Sequence, residues 1–138
     1  MKQVRIRFSG TEMDYSRAAE LARVCAREDS GVADPVLMAW CDRKTGRTSP
    51  VIEGSDPRYR WRDYGASHGG QLEVDVGDSY AFIYADCSDF GRYEPSPYSN
   101  LVDDVGREYI CQINMLADPH RPAPGACTPL DEWTSKWT

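Results

Sequence analysis

The chain has no long apolar run, no glycine-rich phosphate loop and almost no histidine, and each gap removes a class of function. Charge interrupts the apolar residues from Met1-Lys2-Gln3-Val4-Arg5 onward, and no stretch approaches the ~20 residues a membrane-spanning helix needs. Neither export nor membrane insertion is expected. Neither Gly-x-x-x-x-Gly-Lys nor Gly-x-Gly-x-x-Gly occurs, so two common nucleotide cradles are absent and no cofactor is expected. The cysteines, at positions 25, 41, 87, 111 and 127, are odd in number and include no Cys-x-x-Cys pair. That pattern predicts reduced thiols in a cytoplasmic protein.

Surplus positive charge is missing too. The net charge of −6 argues against general nucleic-acid binding, which depends on neutralising phosphates. Residues 1–62 carry 12 Lys and Arg against 9 Asp and Glu, whereas residues 63–138 carry 4 against 13. Such a split ordinarily becomes a mixed, solvated surface; the alternative is a polarised one favouring head-to-tail association or cation binding.

What is present fits one folded, soluble domain: 138 residues, 41% hydrophobic and 28% charged. Val4, Ile6 and Phe8 alternate with Arg5 and Arg7, the period of a strand with one wet face. Asp14 is placed to cap a helix to about Arg27, with Ala18, Leu21, Ala22 and Cys25 on its buried face. The run Val36 to Cys41 predicts a central strand covered on both sides. Asp42 to Gly46 then predicts a turn into an edge strand over Thr48 to Ile52, because Pro50 lacks the N–H a ladder needs. A short helix is expected over Asp56 to Ala66, stopped by Gly69-Gly70. A hairpin follows: Leu72, Val74 and Val76 alternate with Glu73 and Asp75, and Gly77-Asp78 turns the chain into Tyr80 to Tyr84.

Residues 86–100 have loop composition, and Arg107 to Met115 predict a further strand entered through a turn at Asp104-Val105-Gly106. The prolines between Ala117 and Pro129 predict an irregular arm, with Thr128-Pro129 starting a short helix that carries Trp133 and Trp137. The expected fold is therefore α+β, in β-α-β-β-α-β-β order, with a mostly antiparallel sheet of five to six strands. Residues 1–116 form one domain and 117–138 an arm docking on it or on a partner subunit.

Three stretches carry a resemblance: Pro35 to Arg47 (PVLMAWCDRKTGR), Tyr64 to Gly70 (YGASHGG) and Leu72 to Tyr84 (LEVDVGDSYAFIY). In order and spacing they resemble a small family of prokaryotic domains of unknown function, over roughly residues 1–85. The resemblance implies a compact α+β unit and carries no activity or ligand with it.

Three groupings are candidates for chemistry. Arg58 to Tyr64 interleaves guanidinium groups with aromatic rings, as a site for an anionic or flat ligand would. In a helix Arg58 and Arg62 share a face that Arg60 does not. The ordinary alternative has Trp61 and Tyr64 anchoring the helix while the arginines pair with acids. His68, beside Gly69 and Gly70, is open to close approach by a ligand, or is simply a helix-terminal histidine favourable near the negative end of the dipole. Asp86, Cys87 and Asp89 combine carboxylates with a thiol at a strand end, a set that no metal's ligand pattern singles out. The candidate ligand-binding residues are thus Arg58, Arg62, Tyr64, His68, Asp86, Cys87 and Asp89. No catalytic residue is assigned.

The eight tyrosines and four tryptophans favour a binding or protein-interaction module, self-associating as a homodimer or taking a small molecule or a protein as partner. The competing reading is a small enzyme or metal-binding protein using His68 with Asp86, Cys87 and Asp89.

Overall fold

A computed structural model of the chain describes residues 1–8, 13–50, 56, 58–86, 98–130 and 135–136. Its elements run β1 (Lys2–Ile6), α1 (Tyr15–Glu28), β2 (Pro35–Asp42), β3 (Arg47–Ser49), α2 (Arg60–Ser67), β4 (Gly70–Val76), β5 (Tyr80–Asp86), β6 (Tyr98–Val102), β7 (Glu108–Gln112), β8 (Cys127–Pro129) and β9 (Ser135–Lys136). The fold is α+β, with strand orders β1-β4-β5-β2-β3-β9 in one sheet and β6-β7-β8 in the other. Pairing is antiparallel except between β1 and β4. Among the described residues no helix is long and apolar enough to cross a membrane.

The larger sheet is covered on both faces, so β2 and β5 are buried almost throughout, as a continuous apolar run predicts. On one face α1, capped by Asp14 Oδ1 accepting from Arg17 N at 2.8 Å, packs on Leu72, Val74, Tyr80, Phe82 and Trp40. It buries Ala18, Ala19, Ala22 and Ala26, whereas Leu21 is exposed and Cys25 half-buried, which corrects the expected face. The sheet supplies the bulk, including the Tyr15–Trp40 ring contact at 4.8 Å, so the helix contributes small side chains that allow close approach.

On the other face α2 sits over Ala39, Cys41, Ala81 and Ile83, anchored by Trp61. A Cβ on Gly65 or on Gly70 would fall within 3.0 Å of Ile83, and on Gly70 also against the Gly65 carbonyl, so both glycines are required for this approach. This second layer overturns the wet face expected of β4: Glu73 is fully buried and Asp75 is 8% exposed.

Several boundaries differ from expectation. The segment β3 ends at Ser49 and is not an edge, because β9 pairs with it through Thr48↔Ser135 and Arg47↔Lys136. The helix α2 begins at Arg60 because Asp56 first holds a turn, its carboxylate accepting from Arg58 N and its carbonyl from Tyr59 N and Arg60 N. Of the stretch expected to be loop, Asp86 closes β5 and residues 98–100 open β6; residues 87–97 lie outside the described residues. The Arg107 to Met115 strand is shorter, Ile113–Met115 being a 3-10 turn. Thr128 and Pro129 do not start a helix but lie in β8, paired with β7; Trp133 and Trp137 are outside the described residues.

Strand pairing also corrects the expectation of reduced thiols. The register sets Cys111 opposite Cys127 with Cα atoms 4.1 Å apart, and the two are joined in a disulfide. Cys25 and Cys41 are free thiols.

The second sheet docks at an irregularity in β2, where the pairing with β5 steps from Leu37↔Tyr84 to Ala39↔Ile83 and leaves Met38 without an opposite residue. Asn100 of β6 fills the gap, its Oδ1 accepting from Leu37 N at 2.7 Å and its Nδ2 donating to Leu37 O and Tyr109 O at 3.5 and 3.4 Å. Ile110 and Leu130 enter the main core, and Ser49 Oγ donates to Leu130 O at 3.2 Å. Arg23 on α1 reaches Glu108 on β7 at 3.6 Å. Replacing Asn100 with Ala strands the Leu37 amide and should destabilise the protein by about 1–3 kcal/mol. Urea unfolding of the variant measures this, and an unchanged midpoint would show that Asn100 is not the clamp.

Candidate functional site

Where the two sheets meet, they leave an open cavity of about 540 Å³. Its walls come from α2 (Tyr64, Ser67, His68), from Gly69, from the unpaired Met38 of β2, from β7 (Ile110, Gln112) and from Gly125, Ala126 and Thr128 around the start of β8. None of the described lining residues is Asp, Glu, Lys or Arg. Hydroxyl, amide and imidazole groups instead surround an apolar floor of Met38 and Ile110, a composition typical of small-molecule pockets.

His68 is the C-cap of α2, and Gly69, at φ 88°, ends the helix as expected. The imidazole stacks on Tyr64 with centroids 3.9 Å apart and planes 19° from parallel. Its Nδ1 lies 2.9 Å from Tyr64 O, a group that can only accept, so Nδ1 carries the proton and neutral His68 keeps Nε2 as an acceptor. Ser67 Oγ lies 3.0 Å from the same nitrogen and donates to Tyr64 O at 3.1 Å. The ring is therefore fixed in plane and tautomer at the edge of the cavity.

The other sequence candidates lie elsewhere. Asp86 is buried, accepting from Ala33 N at 2.9 Å and Asp34 N at 3.1 Å, and does not line the cavity. Cys87 and Asp89 lie outside the described residues. Among the described residues no three of His, Cys, Asp and Glu gather as metal ligands would. Arg58 and Arg62, with Tyr59 and Trp61, line a smaller pocket of about 200 Å³ together with Cys41 and Arg43. Gln112, Thr128 and Met38 went unnoticed in the sequence, because what places them is contact between two sheets distant in the chain.

Beneath α2 lies a buried acid pair that the alternation of β4 disguised as solvent-facing. Arg62 grips Glu73 with two bonds, Nε to Oε1 at 3.0 Å and Nη2 to Oε2 at 3.1 Å, and Arg43 approaches Asp75 at 4.0 Å. Burial first, and then Asp75, hold the Glu73 carboxyl above its ordinary value of 4.5, against the pull of Arg62. Burial likewise pushes the Cys41 thiol up to about 12, which makes it a poor nucleophile.

The model of a family described as a domain of unknown function, DUF5619, matches residues 1–84. The chain belongs to this family. The DUF5619 match spans β1 to β5 with both helices, so the acid pair and the smaller pocket lie wholly within it, whereas the large cavity takes one wall from residues beyond it. A similar fold occurs in the crystal structure of a novel protein from Archeoglobus fulgidus DSM 4304, at 24% identity and a TM-score of 0.51. The likeness covers 62% of this chain and 94% of that one, and it concerns fold alone. No curated protein matches the chain.

The DUF5619 acid pair makes stability depend on pH. A carboxyl raised in the folded state contributes fully below its unfolded value of 4.5, and that contribution is lost as pH rises through the folded value. Glu73 therefore lowers stability progressively from pH 4.5 upward, and Glu108, also raised by burial, acts in the same sense. Glu73→Gln should flatten the decline and leave the Glu108 share. Thermal unfolding of both proteins from pH 4.5 to about 8 tests this, and identical slopes would contradict it.

Proposed function

We propose that this DUF5619 protein is a binding module for an uncharged, hydrogen-bonding small molecule seated between the family unit and the C-terminal sheet. The observation that carries this reading is the cavity itself: about 540 Å³, lined by Ser67, His68, Gln112 and Thr128 around Met38 and Ile110, with no Asp, Glu, Lys or Arg among the described lining residues. That volume lies within the range of ligand sites, and an uncharged wall disfavours ions, whose desolvation it would not offset. The fixed tautomer makes His68 Nε2 the acceptor for a ligand N–H or O–H. The stack on Tyr64 offers a flat, polarisable surface to a ring.

An enzymatic reading has less support: the described lining supplies no carboxylate, and the Ser67 hydroxyl beside His68 donates to Tyr64 O and faces the protonated Nδ1, so the imidazole is not set to deprotonate it. The experiment is a ligand-observed NMR screen of uncharged heteroaromatic fragments, read back on the His68 ring protons. Binders should shift the His68 resonances, and Ala126→Phe, which fills the cavity from the β8 side, should abolish their binding. Fragments that bind equally well to Ala126→Phe, or that leave His68 unmoved, would place binding elsewhere and overturn the reading.

A further inference from the structure

We infer that the smaller pocket on the α2 face, bounded by Arg43, Arg58 and Arg62, is a binding site for a phosphoryl group. It is separate from the cavity above and does not depend on it. Every charged side chain among its described lining residues is an arginine; the other members are Cys41, Tyr59 and Trp61. At about 200 Å³ the pocket suits a tetrahedral oxyanion with few further atoms.

Acids anchor two of the guanidinium groups along one edge, Arg62 by Glu73 and Arg58 by Asp56, whose carboxylate accepts from Arg58 Nε at 3.4 Å and Nη2 at 3.3 Å, and this leaves both Nη1 groups without a bond among the described residues. Arg62 stacks on Trp61 at 5.2 Å and is clamped by the two bonds to Glu73. Arg58 lies over Tyr59 at 5.6 Å, and its carbonyl accepts from Trp61 Nε1 at 3.0 Å, which fixes the turn that presents it. Arg43 donates from Nη1 to Asp78 O at 3.4 Å and lies 4.0 Å from Asp75. The compensating acids, Asp56, Glu73 and Asp75, are not among the described lining residues. A guanidinium offers several N–H donors to phosphate oxygens, and three such side chains line this space, from the turn after β2, the turn before α2 and α2 itself. These residues also include the first turn of α2, which Tyr59 leaves without a side-chain cap, so the positive end of the helix dipole adds to the field. Tyr59 is 54% exposed beside this space, and its ring is available to whatever the phosphoryl group is attached to.

The test is calorimetric titration of the full chain at low salt with inorganic phosphate and, separately, with phenyl phosphate. Both should bind. Tighter binding of the ester, reduced to the phosphate level by Tyr59→Ala, identifies the attached ring as part of the ligand, and equal binding identifies the free ion. Arg58→Gln should weaken both by about tenfold; Arg58 is 62% exposed and its loss leaves the core intact. Arg43→Gln should do the same, whereas Arg121→Gln, outside the described lining and 85% exposed, and the cavity-filling Ala126→Phe should bind as the parent does. No phosphate heat in the millimolar range, or affinities untouched by both Arg58→Gln and Arg43→Gln, would overturn the inference. An equal loss in Arg121→Gln would also overturn it, by reducing the effect to net charge.

Discussion

The pairing of β2 with β5 skips Met38, and the relation between the two sheets depends on that step. A strand buried on both faces has little reason to expose its backbone, yet here Leu37 presents an amide and a carbonyl that Asn100 takes up. The same step turns Met38 toward the space between the sheets, where it becomes floor. One extra residue in β2 thus both attaches the C-terminal sheet and begins the cavity.

Covering the larger sheet with a helix on each face has consequences for charge as well as for packing. The alanine face of α1 and the glycine contacts of α2 bring both helices close, and α2 carries Glu73 and Asp75 into the interior with the sheet. Buried carboxylates persist only when paired, and Arg62 and Arg43 are the partners that the fold supplies. Arg62 and Arg43 are therefore committed on one side to buried acids and line open space on the other. They are neither a purely electrostatic surface nor simple solvated charge.

Much of the family unit was legible from the chain alone. Asp14 as a cap, the β2 run, the turn at Asp42 to Gly46 and the β4–β5 hairpin all follow from local chemistry, and the structure has each of them. The errors arise where tertiary contact decides. Leu21 lost its place inside because the sheet was already bulky, Pro50 did not make β3 an edge because β9 covers it, and β4 alternates although both of its faces are dry. The second sheet could not be read at all from β8, a three-residue strand in a proline-rich segment whose pairing becomes evident only opposite β7. Of the candidate site, His68 is legible through the Gly69-Gly70 stop and Tyr64 through the run of arginines and aromatics before it, whereas Gln112, Thr128 and Met38 carry no local signature of their shared position.

The bridge between Cys111 and Cys127 lies beside Gln112, Ala126 and Thr128, three members of the cavity wall. A wall tied covalently to its neighbour is ordered before anything arrives, so little conformational entropy remains to be lost on association. A site of the kind proposed, built on such a wall, would select by shape, accepting guests that match its existing contour and rejecting those that would require it to reshape.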